Sequence, residues 1–208
     1  MSREEVFTYA KMSYDNGLTV GTSGNVSMKK GNVMYITPSA LPYNEMVADD
    51  ILQVDIETGE ILDGTRKASS ETPMHRYIYL KNPEINAIVH THSTYATIFA
   101  CAHMPIPPVH YTIADIGKSV PVAPYAKYGT EALAEHVVNT LQGSNGVLLA
   151  NHGVVAVGEN MGDAYRRAEV IEEVAHLAYG SHTLGSVNPL TNAQLDDARQ
   201  SFKTYTSN

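Results

Sequence analysis

The run Ala87-Ile88-Val89-His90-Thr91-His92 constrains the fold more tightly than any other part of the chain. An apolar, partly β-branched triplet leading straight into His-x-His reads as a buried strand ending in two imidazoles. Side chains alternate across a strand, so His90 and His92 leave the backbone on the same side. Two neutral imidazoles close together on a rigid element suit a borderline cation such as zinc. Packing and hydrogen bonding explain an isolated His-x-His equally well, so the rest of the chain must decide.

With 208 residues, 43% hydrophobic and 17% charged, the chain is expected to form one domain, residues 1–208, with a substantial core. No apolar run approaches the ~20 residues that span a bilayer. The opening Met1-Ser2-Arg3-Glu4-Glu5 carries no apolar signal segment, so a cytoplasmic protein without membrane contact is expected. The formal charge of −8 disfavours a nucleic-acid partner, which needs clustered Lys and Arg. It leaves room for an anionic substrate bound by amides, hydroxyls and a metal. The single cysteine, Cys101, rules out an intrachain disulfide and Cys-rich zinc sites. It lies in the apolar run Thr97–Ala102, where a buried small hydrophobe is expected.

Along the chain, residues 3–16 suggest an amphipathic helix stopped at Gly17. Gly21-Thr22-Ser23-Gly24-Asn25 is a loop open to two readings, an anion cradle or a plain turn before a strand. Two hairpins follow, around Lys29–Asn32 and around Glu57-Thr58-Gly59. Strands placed ahead of helices point to a mostly antiparallel central sheet and α+β or α/β/α layering. Neither G-x-G-x-x-G nor a P-loop is present. Ser69-Ser70-Glu71-Thr72-Pro73 opens a helix: serines there can cap its free amides or hold phosphate, and Glu71 complements the dipole. His75, one turn on, reads as a helix-surface or packing residue. Val120–Tyr125 reads as an interrupted edge strand. Asn151-His152-Gly153 joins two apolar strands and sets a third histidine at their tip. His90, His92 and His152 with a carboxylate would make a zinc set with a position left open for catalysis, although the spacing does not force them to meet.

Gly21–Asn25, Thr37-Pro38-Ser39, Ser69-Ser70-Glu71, His90-Thr91-His92 and Asn151-His152-Gly153, in this order and across nearly the whole chain, resemble the class II aldolase/adducin family. The resemblance implies a three-layer α/β/α fold and a fourfold homotetramer with active sites between subunits. It implies one Zn2+ per subunit (with Mn2+ or Co2+ as substitutes) on His90, His92 and His152, with Glu71 as resting ligand and acid/base. It assigns Thr22, Asn25, Ser39, Ala40, Ser69 and Ser70 to a phosphate pocket, Ala40 standing where the family carries glycine. Tyr111 matches a proton-donating tyrosine supplied by a neighbouring subunit, Tyr205 matches a tail tyrosine that helps close the site, and Tyr128 stands where the nearest members carry phenylalanine. His110-Tyr111, Ala123–Thr130 and Phe202–Tyr205 resemble the aldolase branch, which cleaves ketoses of the L-fuculose 1-phosphate type to dihydroxyacetone phosphate and an aldehyde. Ala114-Asp115 instead resembles a 4-epimerase branch, in which the aspartate moves protons. That branch differs in carrying Asp at the position of Glu71 and an insertion after the Pro124 region. Sugar-acid phosphate decarboxylases, a dehydratase and non-catalytic adducin modules resemble the same framework.

Aldol cleavage needs an electron sink and a base. The lysines here fall in turns, loops and helix-surface contexts, none within an apolar strand, so no amine is set up for a Schiff base. A Lewis-acidic metal with a carboxylate base answers the same need.

Overall fold

In the computed structural model, residues 2–205 are described, except for the side chains of Lys203 and Tyr205. Gly31-Asn32 turns strand β1 (Asn25–Lys30) into β2 (Val33–Ile36), and β3 (Leu52–Asp55) and β4 (Ile61–Asp63) form the second hairpin. Helix α1 (Ser2–Asp15) precedes them, and α2 (Thr72–Lys81) leads to β5 (Ala87–Thr91). Then come α3 (Thr94–Ala102), β6 (Val122–Ala123), α4 (Glu131–Leu141), β7 (Gly146–Leu149), β8 (Gly153–Gly158), α5 (Met161–Thr183) and α6 (Asn192–Tyr205). The eight strands form one sheet in the order β4-β3-β2-β1-β5-β8-β7-β6. Every pairing is antiparallel except β6 with β7.

The period of two sorts the central strands into two cores. Ala87 and Val89 of β5, Leu148 of β7 and Val154 and Ala156 of β8 face a core shared with α1, α3 and α5. Ile88, Val147, Leu149, Val155 and Val157 face the other core, under α2 and α4. This is the expected three-layer α/β/α arrangement, and the same alternation turns His90 toward α2. Among the described residues no helix is long and apolar enough to cross a membrane.

Cys101 corrects one expectation: it is exposed. Ala96, Phe99 and Ala100 are the buried residues of α3. A run that is apolar all round gives no periodicity from which its outer face could be read.

Candidate active site

β5 sits between β1 and β8, so the end carrying His90 is flanked by the start of each neighbour: Asn25 pairs with His90, and Thr91 with Val154. Both approaches depend on glycine. At Gly24, φ is +76° and a Cβ would fall 2.6 Å from the His90 carbonyl oxygen; at Gly153 a Cβ would collide with the Thr91 carbonyl oxygen. Gly153 thereby lets the β7–β8 turn swing His152 over the strand end. Asn151 holds that turn at φ +55°, and its side chain is bonded to His103 at the end of α3 at 2.6 Å.

The three imidazoles stand edge to edge around a common axis, with ring centroids 4.9–5.0 Å apart and planes 72–76° from one another. Glu71, the last residue before α2, completes the group. One ligand atom from each of Glu71, His90, His92 and His152 lies within 4.8 Å of all the others. His90 Nε2 is 2.9 Å from Glu71 Oε2 and 3.1 Å from His92 Nε2. His90 Nδ1 donates to the Val154 carbonyl at 2.9 Å, which turns Nε2 toward the cluster. Glu71 Oε1 is buried without a hydrogen-bond partner, the His152 Nε2 atom 3.3 Å away being off-line for one. A bare carboxylate oxygen beside three ring nitrogens is a donor set that a divalent cation fits.

Charge in this group is concentrated on one pair. Burial alone would raise the Glu71 pKa, but the His90 imidazolium, His152 and the Asn25 amide hold it far below the usual carboxylate range. Burial alone would lower His90, and Glu71 and the Val154 carbonyl reverse this, raising it above the ordinary histidine value. His92 and His152 are pushed down to about 3 and about 4, by burial and by the charge on His90. Two of the three imidazoles are thus neutral and ready to ligate.

The cluster lies at a cleft of about 260 Å³ lined by Thr22, Ser23, Gly24, Asn25, Pro38, Ser39, Ala40, Ser69, Ser70, Glu71, His92, Tyr128 and His152. An isolated bridge between Pro38 and Ala68 lays the end of β2 beside the serine pair. The entire set read as a phosphate pocket therefore borders one space, and Thr22–Asn25 of the glycine loop lie along it. The lining offers hydroxyls and amides but neither Lys nor Arg. Ser69 Oγ accepts the Glu71 amide at 3.2 Å, ordering the residue before α2, but no side chain caps the free amides of the helix, so the expected serine cap is absent. Asn25 is engaged on both sides, by Glu71 at 3.0 Å and by His75 at 2.5 Å.

Three residues stand apart. Asp115 is bound by Arg166 at 2.7 Å and Arg167 at 2.9 Å and borders a separate crevice with Lys118 and Arg199. Tyr111 is half-exposed beside Phe202 and Leu190 and does not line the cleft within one chain. Tyr205 ends α6, and its side chain lies outside the described residues. One supporting residue escaped the sequence reading and a second was read only in part. Glu172 of α5 accepts the Tyr95 and Ala96 amides at 2.9 Å, capping α3 just past His92. His75 is wholly buried, so the packing reading holds and the surface reading does not. The spacing of four from Glu71, just before α2, to His75 and Tyr79 within it was the available signal for it.

Comparison with known proteins accords with this geometry. Residues 4–179 match the family model of the class II aldolase and adducin N-terminal domain. The chain is 38% identical over 205 residues to a 5-deoxy-D-ribulose 1-phosphate aldolase of Bacillus thuringiensis serovar kurstaki, covering 98% of this chain and 96% of that one. It is 36% identical over 191 residues to an L-fuculose phosphate aldolase of Escherichia coli O6:H1, covering 91% and 88%. A solved L-fuculose 1-phosphate aldolase superposes with a TM-score of 0.93 at 37% identity, over 97% of this chain and 96% of that one. The chain belongs to the class II aldolase/adducin family.

Proposed function

We propose that this chain, an aldehyde-lyase by family, reversibly cleaves a deoxyketose 1-phosphate of the L-fuculose 1-phosphate type into dihydroxyacetone phosphate and a short aldehyde. The observation that carries the reading is the convergence of His90, His92, His152 and Glu71 on a cleft of neutral hydrogen-bond donors. The relatives named for L-fuculose phosphate and 5-deoxy-D-ribulose 1-phosphate support the same substrate class.

His90, His92, His152 and, at rest, Glu71 would hold one zinc ion, with manganese or cobalt as substitutes. Such an ion supplies Lewis-acid polarisation of the ketose carbonyl and its neighbouring hydroxyl. Thr22, Ser39, Ser69, Ser70 and the Ala40 backbone grip the phosphate, and Tyr128 closes one wall. In cleavage, Tyr111, acting as a phenolate, takes the proton of the hydroxyl that becomes the aldehyde oxygen and the carbon–carbon bond breaks; that proton passes through water to the Glu71 carboxylate, which delivers it to carbon on the dihydroxyacetone phosphate half and is ionised again, as Tyr111 is. Tyr111 reaches the cleft from a neighbouring subunit of a homotetramer, a reading supported by its lining a different crevice in its own chain. Asp115, neutralised by two arginines, favours the aldolase over the 4-epimerase reading.

Metal-loaded protein assayed with L-fuculose 1-phosphate, 5-deoxy-D-ribulose 1-phosphate and L-ribulose 5-phosphate tests this. Dihydroxyacetone phosphate should appear from one or both 1-phosphates. Its absence, or interconversion of the 5-phosphate with its 4-epimer, overturns the proposal. Mixing Glu71→Gln with Tyr111→Phe subunits should restore part of the lost activity, and no restoration would place both residues in one chain's site.

A further inference from the structure

Behind the cleft, a file of buried polar groups runs from α2 into Glu71. Tyr79 Oη lies 2.8 Å from Ser27 Oγ, and Ser27 Oγ lies 2.6 Å from His75 Nδ1. His75 Nε2 then meets Asn25 Oδ1 at 2.5 Å, and Asn25 Nδ2 meets Glu71 Oε2 at 3.0 Å. Ser27 and His75 are 0% exposed and Tyr79 3%, while Asn25 and Glu71, at 4% and 5%, only border the cleft, so water has little access to repair a mismatch.

The acceptor at one end dictates every proton in the file. An ionised carboxylate only accepts, so the Asn25 amide nitrogen must face Glu71 and its oxygen must face His75. His75 must then donate from Nε2. Burial and the nearby His90 charge push its pKa down to about 3, so the ring is neutral and Nδ1 is bare. Ser27 consequently donates to Nδ1, and Tyr79 donates to Ser27. The opposite His75 tautomer would set a lone pair against Asn25 Oδ1, and a flipped Asn25 would set its oxygen against Glu71. Both alternatives press acceptor against acceptor in a dry interior.

We infer that His75 is a positioning residue: through Asn25 it pins Glu71 Oε2 and so leaves Oε1 as the oxygen that handles the substrate proton. The inference rests on the acid/base role given to Glu71 above. It agrees with Oε1 being the carboxylate oxygen without a hydrogen bond. It also explains why a buried histidine occupies the wall behind the site, and why Glu71, His75 and Tyr79 recur every fourth residue from the position just before α2.

Wild-type protein labelled with ¹⁵N-histidine gives the first test, with and without zinc, by long-range ¹H–¹⁵N correlation. His75 should carry its proton on Nε2 with Nδ1 bare in both states; a proton on Nδ1 overturns the inference. This readout is independent of substrate, so it stands even if no ketose phosphate is cleaved, and it needs no variant to fold. The second test compares His75→Leu with His75→Gln, whose amide N–H replaces the Nε2 donor. In the zinc-loaded enzyme His75→Leu should lower kcat about 100-fold, the scale of a misplaced catalytic group, with KM changed less than about threefold. Zinc content should stay at one ion per chain, and His75→Gln should recover most of kcat. Equal loss in both variants, or kcat unchanged in both, or kcat falling only in step with zinc content, overturns the positioning role.

Discussion

Zinc binding at this site should release one proton per ion on the acid side of neutrality. His90 donates from Nδ1 to Val154 and faces Glu71 Oε2 with Nε2 at 2.9 Å, so in the metal-free protein Nε2 needs a proton to bond a carboxylate. Its pKa lies above 6.5, whereas those of His92 and His152 fall to about 3 and about 4. From about pH 5 to 6.5 the empty set therefore holds one exchangeable proton, on His90, and a ligating imidazole must surrender it. The apparent affinity should weaken tenfold, about 1.4 kcal/mol, for each unit of acidification across that window. It should level off above the raised pKa of His90. Stability of the metal-free protein follows the same groups with opposite signs. The His90 contribution is complete below 6.5 and is lost as pH rises through its folded pKa; His92 and His152, depressed, destabilise the fold as pH falls below 6.5 toward their folded values. Calorimetric zinc titration at about pH 6, in two buffers of different ionisation enthalpy, counts the protons directly. Release of none, or of two or more, would refute this assignment of charge.

Glu71→Gln keeps three imidazoles and should still bind one zinc per chain, while kcat falls about 10²–10⁴-fold; unchanged turnover would remove Glu71 from proton transfer. Ala40 sits at φ +55°, a left-handed backbone conformation that favours glycine. Relief of ~1–2 kcal/mol of left-handed strain, less ~0.4–1 for the freer unfolded chain, predicts that Ala40→Gly gains about 1 kcal/mol or ~2–4 °C in Tm. A lower denaturation midpoint would show that the strain argument is wrong. Asp115→Asn should cost ~1–3 kcal/mol by weakening the bonds to Arg166 and Arg167, leaving kcat intact. Burial would raise the Asp115 pKa, but the arginines depress it, so its contribution is present above 3.8 and is lost as pH falls through the folded value. The gap between wild type and variant should therefore narrow in acid, and a kcat loss without a stability loss would put Asp115 in the chemistry instead.

Local pattern made much of this site readable. Alternation in β5 put His90 and His92 on one side, and the hairpin turns and the serine pair before α2 stand where the chain chemistry suggested. Family resemblance then named the partners. It could not supply how Asp115 is held, since Arg166 and Arg167 lie 51 and 52 residues away on α5. Nor did it reveal His75, because a histidine on an amphipathic helix looks alike whether its ring meets water or a buried serine.

Residue order alone settled which side chains leave each strand together and which loops carry donors, because those properties depend on neighbours two to four positions away. Folding decided that Glu71, Asn25 and His152 converge on the His90–His92 pair. That convergence comes from β5 lying between β1 and β8 in a register that glycines at 24 and 153 allow. Pairing between strands far apart in the chain is set by the packing of two whole cores, and no short stretch of sequence contains it.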